Sequence, residues 1–316
     1  MSVSEPIPGL YRLEEPDGSR RLCQAVVEAS ERILVVDAGL PESPERSIVP
    51  LLRRLGADTR PVVVVLTHPD ADHRGGAAAL RDALPEVEIW GHELDAEQLA
   101  DPEVALAERY QAFAATDHVG PDAAGLERMR ARLGPPVRLD RRLTGDTVLE
   151  LGGGRTVELL HTPGHSPGSI TAWLPDQRAA VIGDAVVGVG TPTVDGSLLY
   201  PPMFTPPSAY FGTIDRLESL RPRLVVSGHD PVLEDRAVPE FLATSREAAL
   251  RLRALVRDAV GDSTLAQLCA AVAERYEPLP NPASLAMTVD GFLGELADGG
   301  EVAVDGGPPR RFRSIG

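Results

Sequence analysis

The chain has 316 residues, of which 43% are hydrophobic, and a formal net charge of −16; this length suffices for one large domain with a small appendage. All 31 basic residues are arginine, and the acidic excess argues against a nucleic-acid substrate, because cations that contact phosphate supply most of that affinity. No apolar run approaches the roughly 20 residues that a membrane span needs.

The first residues and the cysteines indicate the compartment. The stretch 1–6 has neither a basic nor an apolar region, so no signal peptide is predicted. Cys23 and Cys269 are the only cysteines and lie far apart, which suits a reducing cytosol and argues against cysteine ligands. We therefore predict a cytoplasmic protein that acts on a small molecule, without a nucleic-acid or membrane partner, and we allow for a homodimer.

The first predicted elements are a β-hairpin and a helix. Residues 22–28 and 32–37 are apolar runs on either side of a short polar turn, which predicts paired strands. Asp37 ends the second strand, and we interpret it either as a structural residue such as a helix cap or as a support for a nearby metal site; the structural role is favoured. Residues 44–56 then predict an amphipathic helix that ends at Gly56.

A buried strand is predicted at 62–66, and a cluster of polar residues follows it directly. Four side chains of the types that bind divalent metals fall within six residues, namely His68, Asp70, Asp72 and His73. A tight loop after a strand lets alternate side chains converge on one point. The alternative is a solvated acidic turn, and four such residues after a buried strand disfavour it.

Two histidines in the next segment are left out of the predicted site. His92 follows a short predicted strand at 87–90 and is interpreted as a structural residue or as part of the rim of the site. His118 lies in a charged, helical stretch at 95–134, where a lone histidine is more often a surface residue than a ligand.

Three further motifs follow predicted strands. The run from His161 to Ser169 contains two prolines and two glycines, which restrict its loop and hold His165 in one direction. Asp184 follows a strand at 179–182, and His229 follows a strand at 224–227. Together with the first cluster, these residues predict one metal-binding constellation at the strand ends.

The order and spacing of these motifs resemble the metallo-β-lactamase superfamily of binuclear metallohydrolases. The resemblance extends over about residues 6–235. It implies an α/β fold, an αββα sandwich with the metals at one edge of its two sheets, and we place the catalytic domain at 1–238. The resemblance implies that His161 lies outside the ligand set and supports its loop.

Carried over residue by residue, the resemblance implies two metal ions. The ligands of the first metal are His68, Asp70 and His165; those of the second are Asp72, His73 and His229, and Asp184 bridges the two. Asp70 is a departure, because the family pattern has histidine there. Two divalent ions, three aspartates and a bridging hydroxide sum to zero charge, whereas histidine at this position would leave +1. The extra carboxylate makes the first site harder and moves its preference from zinc toward iron or manganese. For the two ions together zinc stays the favoured metal, with iron or manganese as alternatives.

The segment between Asp184 and His229 contains four of the thirteen aromatic residues, within residues 200–211. We interpret it either as an apolar wall beside the metals or as a loop that is stapled to the core. Tyr200 is a candidate hydrogen-bond donor to a developing oxyanion.

Beyond residue 238 the pattern changes to helices, predicted at 240–260, 265–276 and 283–297. A small β-wing is predicted from residues 301–304 and 311–313. This tail resembles the winged-helix-like tails of some hydrolases of the superfamily, and we place a second domain at 239–316. Its candidate recognition helix contains three acidic residues and no arginine, which favours a packing or dimerisation role over nucleic-acid recognition.

The function we predict is hydrolysis of a small ester, thioester or lactone by a metal-bridging hydroxide, with Asp72 and Asp184 as orienting or protonating groups. The core resembles glyoxalase II-like thioesterases, but no basic run in the sequence indicates a glutathione pocket. One alternative is a phosphodiesterase or nuclease of the same fold, which the net charge of −16 disfavours. Another is a di-iron oxidoreductase, because Asp70 replaces a histidine.

Overall fold

Two β-sheets pack face to face in the computed structural model, which describes residues 1–315. The first sheet has seven strands in chain order: β1 Ser2–Ile7, β2 Leu10–Asp17, β3 Arg20–Glu28, β4 Ile33–Val36, β5 Val62–Val65, β6 Glu88–His92 and β7 Arg141–Leu143. The remaining strands before the C-terminal region are β8 Thr147–Gly152, β9 Arg155–His161, β10 Ile170–Leu174, β11 Ala179–Gly183, β12 Thr191–Pro192, β13 Leu198–Tyr200, β14 Leu224–Ser227 and β15 Leu233–Glu234. Strands β12 and β13 form a separate hairpin, and the other six form the second sheet in the order β15-β14-β11-β10-β9-β8.

Helices cover both outer faces. They are α1 Val49–Arg54, α2 Ala71–Arg74, α3 Ala77–Ala83, α4 Ala96–Ala100, α5 Pro102–Ala105, α6 Ala114–Asp117, α7 Ala123–Leu133, α8 Pro207–Leu220, α9 Ala237–Ala259, α10 Leu265–Tyr276 and α11 Ala286–Asp298. Residues Pro44–Ile48 and Leu106–Tyr110 form π-helical turns, and Glu93–Asp95, Pro175–Gln177 and Pro282–Leu285 form 3₁₀ turns. Within residues 1–315, no helix is both long and apolar enough to cross a membrane.

The alternation of side chains along the strands explains the layers. In β5, Val63 and Val65 belong to the hydrophobic cluster between the sheets, whereas Val62 and Val64 pack with the outer helices α1 and α3. Successive side chains of a strand point to opposite faces, so a strand of four valines is buried on both sides. The predicted αββα sandwich is confirmed.

The predicted elements match the structure with some differences at their ends. The helix predicted at 44–56 begins with the π-helical turn Pro44–Ile48 and becomes α-helical only in α1. The helix α10 has the predicted bounds, and Thr264 caps it through a capping box with Gln267.

The C-terminal region contains α9, α10, α11 and a three-stranded sheet made of β16 Ser263–Thr264, β17 Val302–Asp305 and β18 Arg311–Ser314. The helix α9 begins at Ala237 and so runs across the predicted domain boundary at residue 238. The division of the chain into two domains at this residue stays a prediction. One hydrophobic cluster joins this region to the second sheet: Phe292 lies against Phe204, with ring centroids 5.5 Å apart, and Phe204 packs on Tyr210 at 4.4 Å. The aromatic residues Phe204 and Tyr210 of the predicted wall are therefore core residues.

Parallel strand pairs bring the polar loops together. Strands β4, β5 and β6 run parallel in the first sheet, as do β11 and β14 in the second. The carboxyl ends of parallel strands meet at one edge of a sheet, and Asp37, His68, Asp184 and His229 each follow such an end. The metal motifs therefore converge because of the topology.

Candidate metal centre

All seven predicted metal ligands lie together at this edge, between the two sheets. Each is at least 90% buried: His68, Asp70, Asp72, His73, His165, Asp184 and His229. Their ligand atoms form three groups within which every atom lies within 4.8 Å of the others: His68/Asp70/His165, His68/His73/Asp184 and Asp72/His73/His229. We call the first of these groups the first half-site, and Asp72, His73, Asp184 and His229 the second half-site.

The second half-site brings acceptor atoms face to face. The Nδ1–H of His229 donates to the carbonyl oxygen of Arg21 at 2.8 Å, which directs Nε2 into the site. This Nε2 atom lies 3.1 Å from Asp184 Oδ2 and 3.5 Å from Asp72 Oδ2. A neutral imidazole nitrogen beside two carboxylates is repulsive unless a cation or a proton lies between them.

Several atoms at the centre of the site are buried and make no hydrogen bond. They are His68 Nε2, His73 Nε2, Asp72 Oδ2 and Asp184 Oδ1. Asp72 Oδ2 does form an ion pair with Arg20 Nη2 at 2.8 Å. A buried polar atom without a partner costs about 1–3 kcal/mol, and these four are donor atoms that divalent metals prefer. Three of the four atoms belong to the second half-site, which therefore fits a divalent cation; the fourth, His68 Nε2, belongs to the first half-site.

Asp37 supports two of the histidines from behind. Its Oδ2 accepts a hydrogen bond from His73 Nδ1 at 2.7 Å, and its carboxylate also accepts from the Thr67 hydroxyl at 2.9 Å and the Thr67 N–H at 2.7 Å. Thr67 Oγ1 in turn lies 2.9 Å from His68 Nδ1. These contacts direct both Nε2 atoms to the centre, so Asp37 has the supporting role that the sequence interpretation placed second.

The protonation states of His68 and Asp72 suit metal binding. Burial, followed by the neighbouring His73 and His165, lowers the pKa of His68 to about 4. Burial acts to raise the pKa of Asp72, but the charges of Arg20, His73 and His229 lower it to about 2. At neutral pH, His68 is therefore neutral and Asp72 is ionised, as metal ligands require. Burial acts to lower the pKa of His73 and of His229, but the charge of Asp184 raises both, so a metal that binds there displaces protons from these rings.

The first half-site contains a buried arginine that the sequence analysis did not identify. Arg109, which is 7% exposed, binds both oxygens of Asp70; its Nη2 lies 2.9 Å from Asp70 Oδ2 and its Nε contacts Oδ1. The same Nη2 lies 3.2 Å from His165 Nε2, and the hydroxyl of Tyr110 donates to Asp70 Oδ1 at 3.2 Å. Burial acts to raise the pKa of Asp70, but Arg109 and the hydrogen bonds of the site hold it well below its usual range.

Arg109 comes from the π-helical turn Leu106–Tyr110, inside the stretch predicted as helical at 95–134. An arginine in a charged helical segment carries no signal that separates it from surface arginines, and a π-helical turn has no clear sequence pattern. His118, in the same stretch, is exposed and takes no part in the site.

The loop that presents His165 is held on both sides. His161 Nε2 donates to the carbonyl oxygen of Pro167 at 2.9 Å, and its ring stacks on that of His92 with centroids 4.1 Å apart. Gly164 has φ +138°, and a Cβ there would lie 2.5 Å from the Cα of Tyr210. Only glycine fits this position, so the loop has one path and His165 one direction.

A cavity of about 700 Å³ opens over the centre. Asp70, Asp72, His165 and Asp184 lie on its floor, and Leu199, Tyr200, Pro201, Met203, Pro121 and Met129 are among the residues of its walls. Tyr200 is 46% exposed, and Arg20 lies over its ring at 5.4 Å.

Three arginines also line the cavity, although no basic run in the sequence indicates them. They are Arg20, Arg128 and Arg132. Arg20 and Arg132 both pair with Asp17, at 2.8 and 2.6 Å, whereas Arg128 is exposed and makes no ion pair within residues 1–315. They were missed because they come from segments about 110 residues apart, which only the fold brings together.

Comparisons with known proteins agree with this geometry. The family model described as "Metallo-beta-lactamase superfamily" matches residues 24–229. The acyl-coenzyme A thioesterase MBLAC2 of Gallus gallus is 31% identical over 222 residues, which are 64% of this chain and 68% of that protein.

Two further proteins resemble the chain over different shares of their own length. The linear primary-alkylsulfatase of a Pseudomonas strain is 25% identical over 246 residues, 71% of this chain but only 44% of that protein. The crystal structure of a metallo-beta-lactamase family protein from Thermus thermophilus superposes with a TM-score of 0.72 at 23% identity, over 98% of this chain and 99% of that one. This last similarity shows the fold.

Proposed function

The chain belongs to the metallo-β-lactamase superfamily of hydrolases, and from this premise we propose that it hydrolyses small thioesters, esters or lactones at the carbonyl carbon in a metal-dependent reaction. The observation that carries the proposal is the group of buried ligand atoms without hydrogen bonds, of which those of Asp72 and Asp184 face a cavity with largely apolar walls. Such a site combines a cation position with room for an acyl group.

Asp72, His73, Asp184 and His229 are the residues that would hold a metal. A divalent metal bound there supplies a Lewis acid and lowers the pKa of a water molecule toward neutrality. Because the pKa of Asp72 is lowered to about 2 and that of Asp184 lies well below its usual range, both carboxylates stay ionised. We assign them the role of holding and orienting groups, since a proton acceptor works best with a pKa near the working pH.

Thioesters are the substrate class that has most support. The relative that shares 31% identity is named as an acyl-coenzyme A thioesterase. The cavity offers an apolar wall at Leu199, Pro201 and Met203 for an acyl chain and an exposed arginine, Arg128, at a position suited to an anionic carrier group.

The alternatives of the same fold have less support. A nuclease needs several cations along the backbone of its substrate, whereas Arg20 and Arg132 are already paired with Asp17 and the net charge is −16. Sulfate ester hydrolysis, the activity named in the alkylsulfatase, faces the same shortage of free cations. We propose zinc as the metal, with iron or manganese as alternatives, because the ligands combine imidazole with carboxylate.

A substrate panel tests the proposal. Zinc-loaded protein is given an acyl thioester, a lactone, an aryl ester, an alkyl sulfate and a phosphodiester, each at equal concentration. We expect kcat/KM for the best carbonyl substrate to exceed that for the phosphodiester and the sulfate by at least about 100-fold, equivalent to about 2.7 kcal/mol. A preference for the phosphodiester or the sulfate would contradict the proposal.

Tyr200 tests how the cavity wall contributes. As a donor to the oxyanion, its hydroxyl should contribute about 100-fold or more to kcat, so Tyr200→Phe should lower kcat by that factor and leave KM nearly unchanged. Leu199→Ala serves as a wall control and should mainly raise KM. If kcat is unchanged in Tyr200→Phe, the Tyr200 hydroxyl does not contact the oxyanion, and the residue only forms part of the cavity wall.

A further inference from the structure

The two half-sites differ in what already satisfies their ligand atoms. In the second half-site, His73 Nε2, Asp72 Oδ2 and Asp184 Oδ1 make no hydrogen bond. In the first, His68 Nε2 also makes no hydrogen bond, but both oxygens of the carboxylate Asp70 are engaged by Arg109. A carboxylate has about four lone-pair positions. Arg109 takes one on each oxygen, Tyr110 donates to Oδ1 at 3.2 Å, and His165 Nε2 lies 2.9 Å from Oδ2, so all four positions that a metal ion could use are engaged.

Charge separates the half-sites in the same way. In the second half-site, Asp72 and Asp184 sum to −2. Arg20 pairs with Asp72 at 2.8 Å but is shared with Asp17, and no arginine pairs with Asp184 within residues 1–315, so this half-site keeps a negative charge for a divalent ion. In the first half-site, Asp70 is the only carboxylate, and Arg109 already cancels its charge. A divalent ion placed there would leave a net charge of +2 and would lie beside the guanidinium, in a buried region where like charges repel strongly.

Burial makes the arginine a fixed part of the site. Arg109 is 7% exposed, and its Nη2 also lies 3.2 Å from His165 Nε2. To admit a metal, its side chain must leave a two-pronged, charge-assisted ion pair. The adjacent Tyr110 donates a further hydrogen bond to Asp70 Oδ1 at 3.2 Å, which holds the carboxylate in the orientation that faces the arginine.

We propose that Arg109 is the resident cation of the first half-site, so that the protein binds one metal ion, in the second half-site, where the sequence motifs predict two. The aspartate in place of the family's histidine is then the partner of an arginine. This inference rests on the metal dependence of the proposed function, but it concerns the number of ions and not the substrate.

Zinc stoichiometry tests the proposal. Protein saturated with zinc and then desalted should contain one equivalent per chain by mass spectrometry, and calorimetric titration of the stripped protein should show one tight site. Arg109→Met, which frees Asp70 while nearly preserving side-chain volume, should raise the content to two equivalents. Arg109→Met/Asp70→Ala should return it to one.

Arg128→Met is the matched control, because this arginine lines the same cavity without contacting Asp70; its zinc content should stay at one equivalent. Two ligand variants test which half-site holds the zinc ion even if Arg109→Met fails to fold. His165→Ala should keep the single equivalent of the wild-type protein, and His229→Ala should lose it.

Two tight equivalents in the wild-type protein, with one lost in His165→Ala, would overturn the proposal. Failure here is separable from failure of the proposed function, because the stoichiometry is measured without a substrate. A protein that binds one zinc and hydrolyses no member of the panel would refute only the function.

Discussion

Replacing Asp184 with asparagine is expected to lower kcat/KM for an acyl thioester by more than about 100-fold, because even the residues that merely support metal ligands contribute 10- to 100-fold. Asparagine keeps the size of the side chain but removes one of the two negative charges of the second half-site. In the wild-type protein, Asp184 Oδ1 is one of the buried atoms without a hydrogen bond, and Asp184 Oδ2 lies 3.1 Å from His229 Nε2. We therefore expect the variant to bind the metal more weakly and to hold it in a less well-defined position.

The measurement pairs thiol release with metal content on the same sample. Asp215→Asn is the control, since Asp215 lies on the exposed side of α8 and pairs with Arg246 at 2.7 Å; its activity should remain within about twofold of the wild type, as is usual for surface substitutions. Full activity in Asp184→Asn with an intact fold would refute the role assigned to this carboxylate.

The second large effect is expected from Asp37→Asn, which should weaken metal binding about 10- to 100-fold although Asp37 touches no metal position. A single amide oxygen cannot accept all the hydrogen bonds that His73 and Thr67 now make to the two carboxylate oxygens. Asparagine is the suitable replacement, because Asp37 has φ +69° and asparagine tolerates that backbone conformation better than most residues. The dissociation constant for zinc, from a chelator competition, gives the result.

Thr67→Ser provides the matched control for this prediction. Serine keeps the hydroxyl that links Asp37 to His68, so zinc affinity should change by less than about threefold. If Asp37→Asn binds zinc as tightly as the wild type, the supporting network does not determine metal affinity.

The residues alone predicted that the polar loops meet at the strand ends, whereas the αββα fold and the division into two metal sites came from the resemblance to a known family. Short polar loops after buried strands carry the ligand motifs, and parallel strands place such loops at one edge of their sheet. His68, His165, Asp184 and His229 therefore meet even though they are separated by up to 161 residues. Their residue types, imidazole and carboxylate, then indicated a metal.

The features that sequence reasoning missed are tertiary contacts of residues without a local signature. Arg109 reaches Asp70 only because a π-helical turn in the stretch at 95–134 directs it there. The wall predicted at 200–211 divides in the structure: Tyr200 lines the cavity, while Phe204 and Tyr210 are fully buried. Both interpretations of that wall therefore hold for different residues, which no local pattern could separate.

The most direct test of metal-dependent carbonyl hydrolysis is a titration of stripped protein with zinc while thiol release from an acyl thioester is followed. The account predicts no turnover without metal and a rate that rises in proportion to the bound zinc until the second half-site is full. Turnover that is equally fast in the stripped protein, or a zinc-filled protein that releases no thiol and cleaves no other ester, would contradict it.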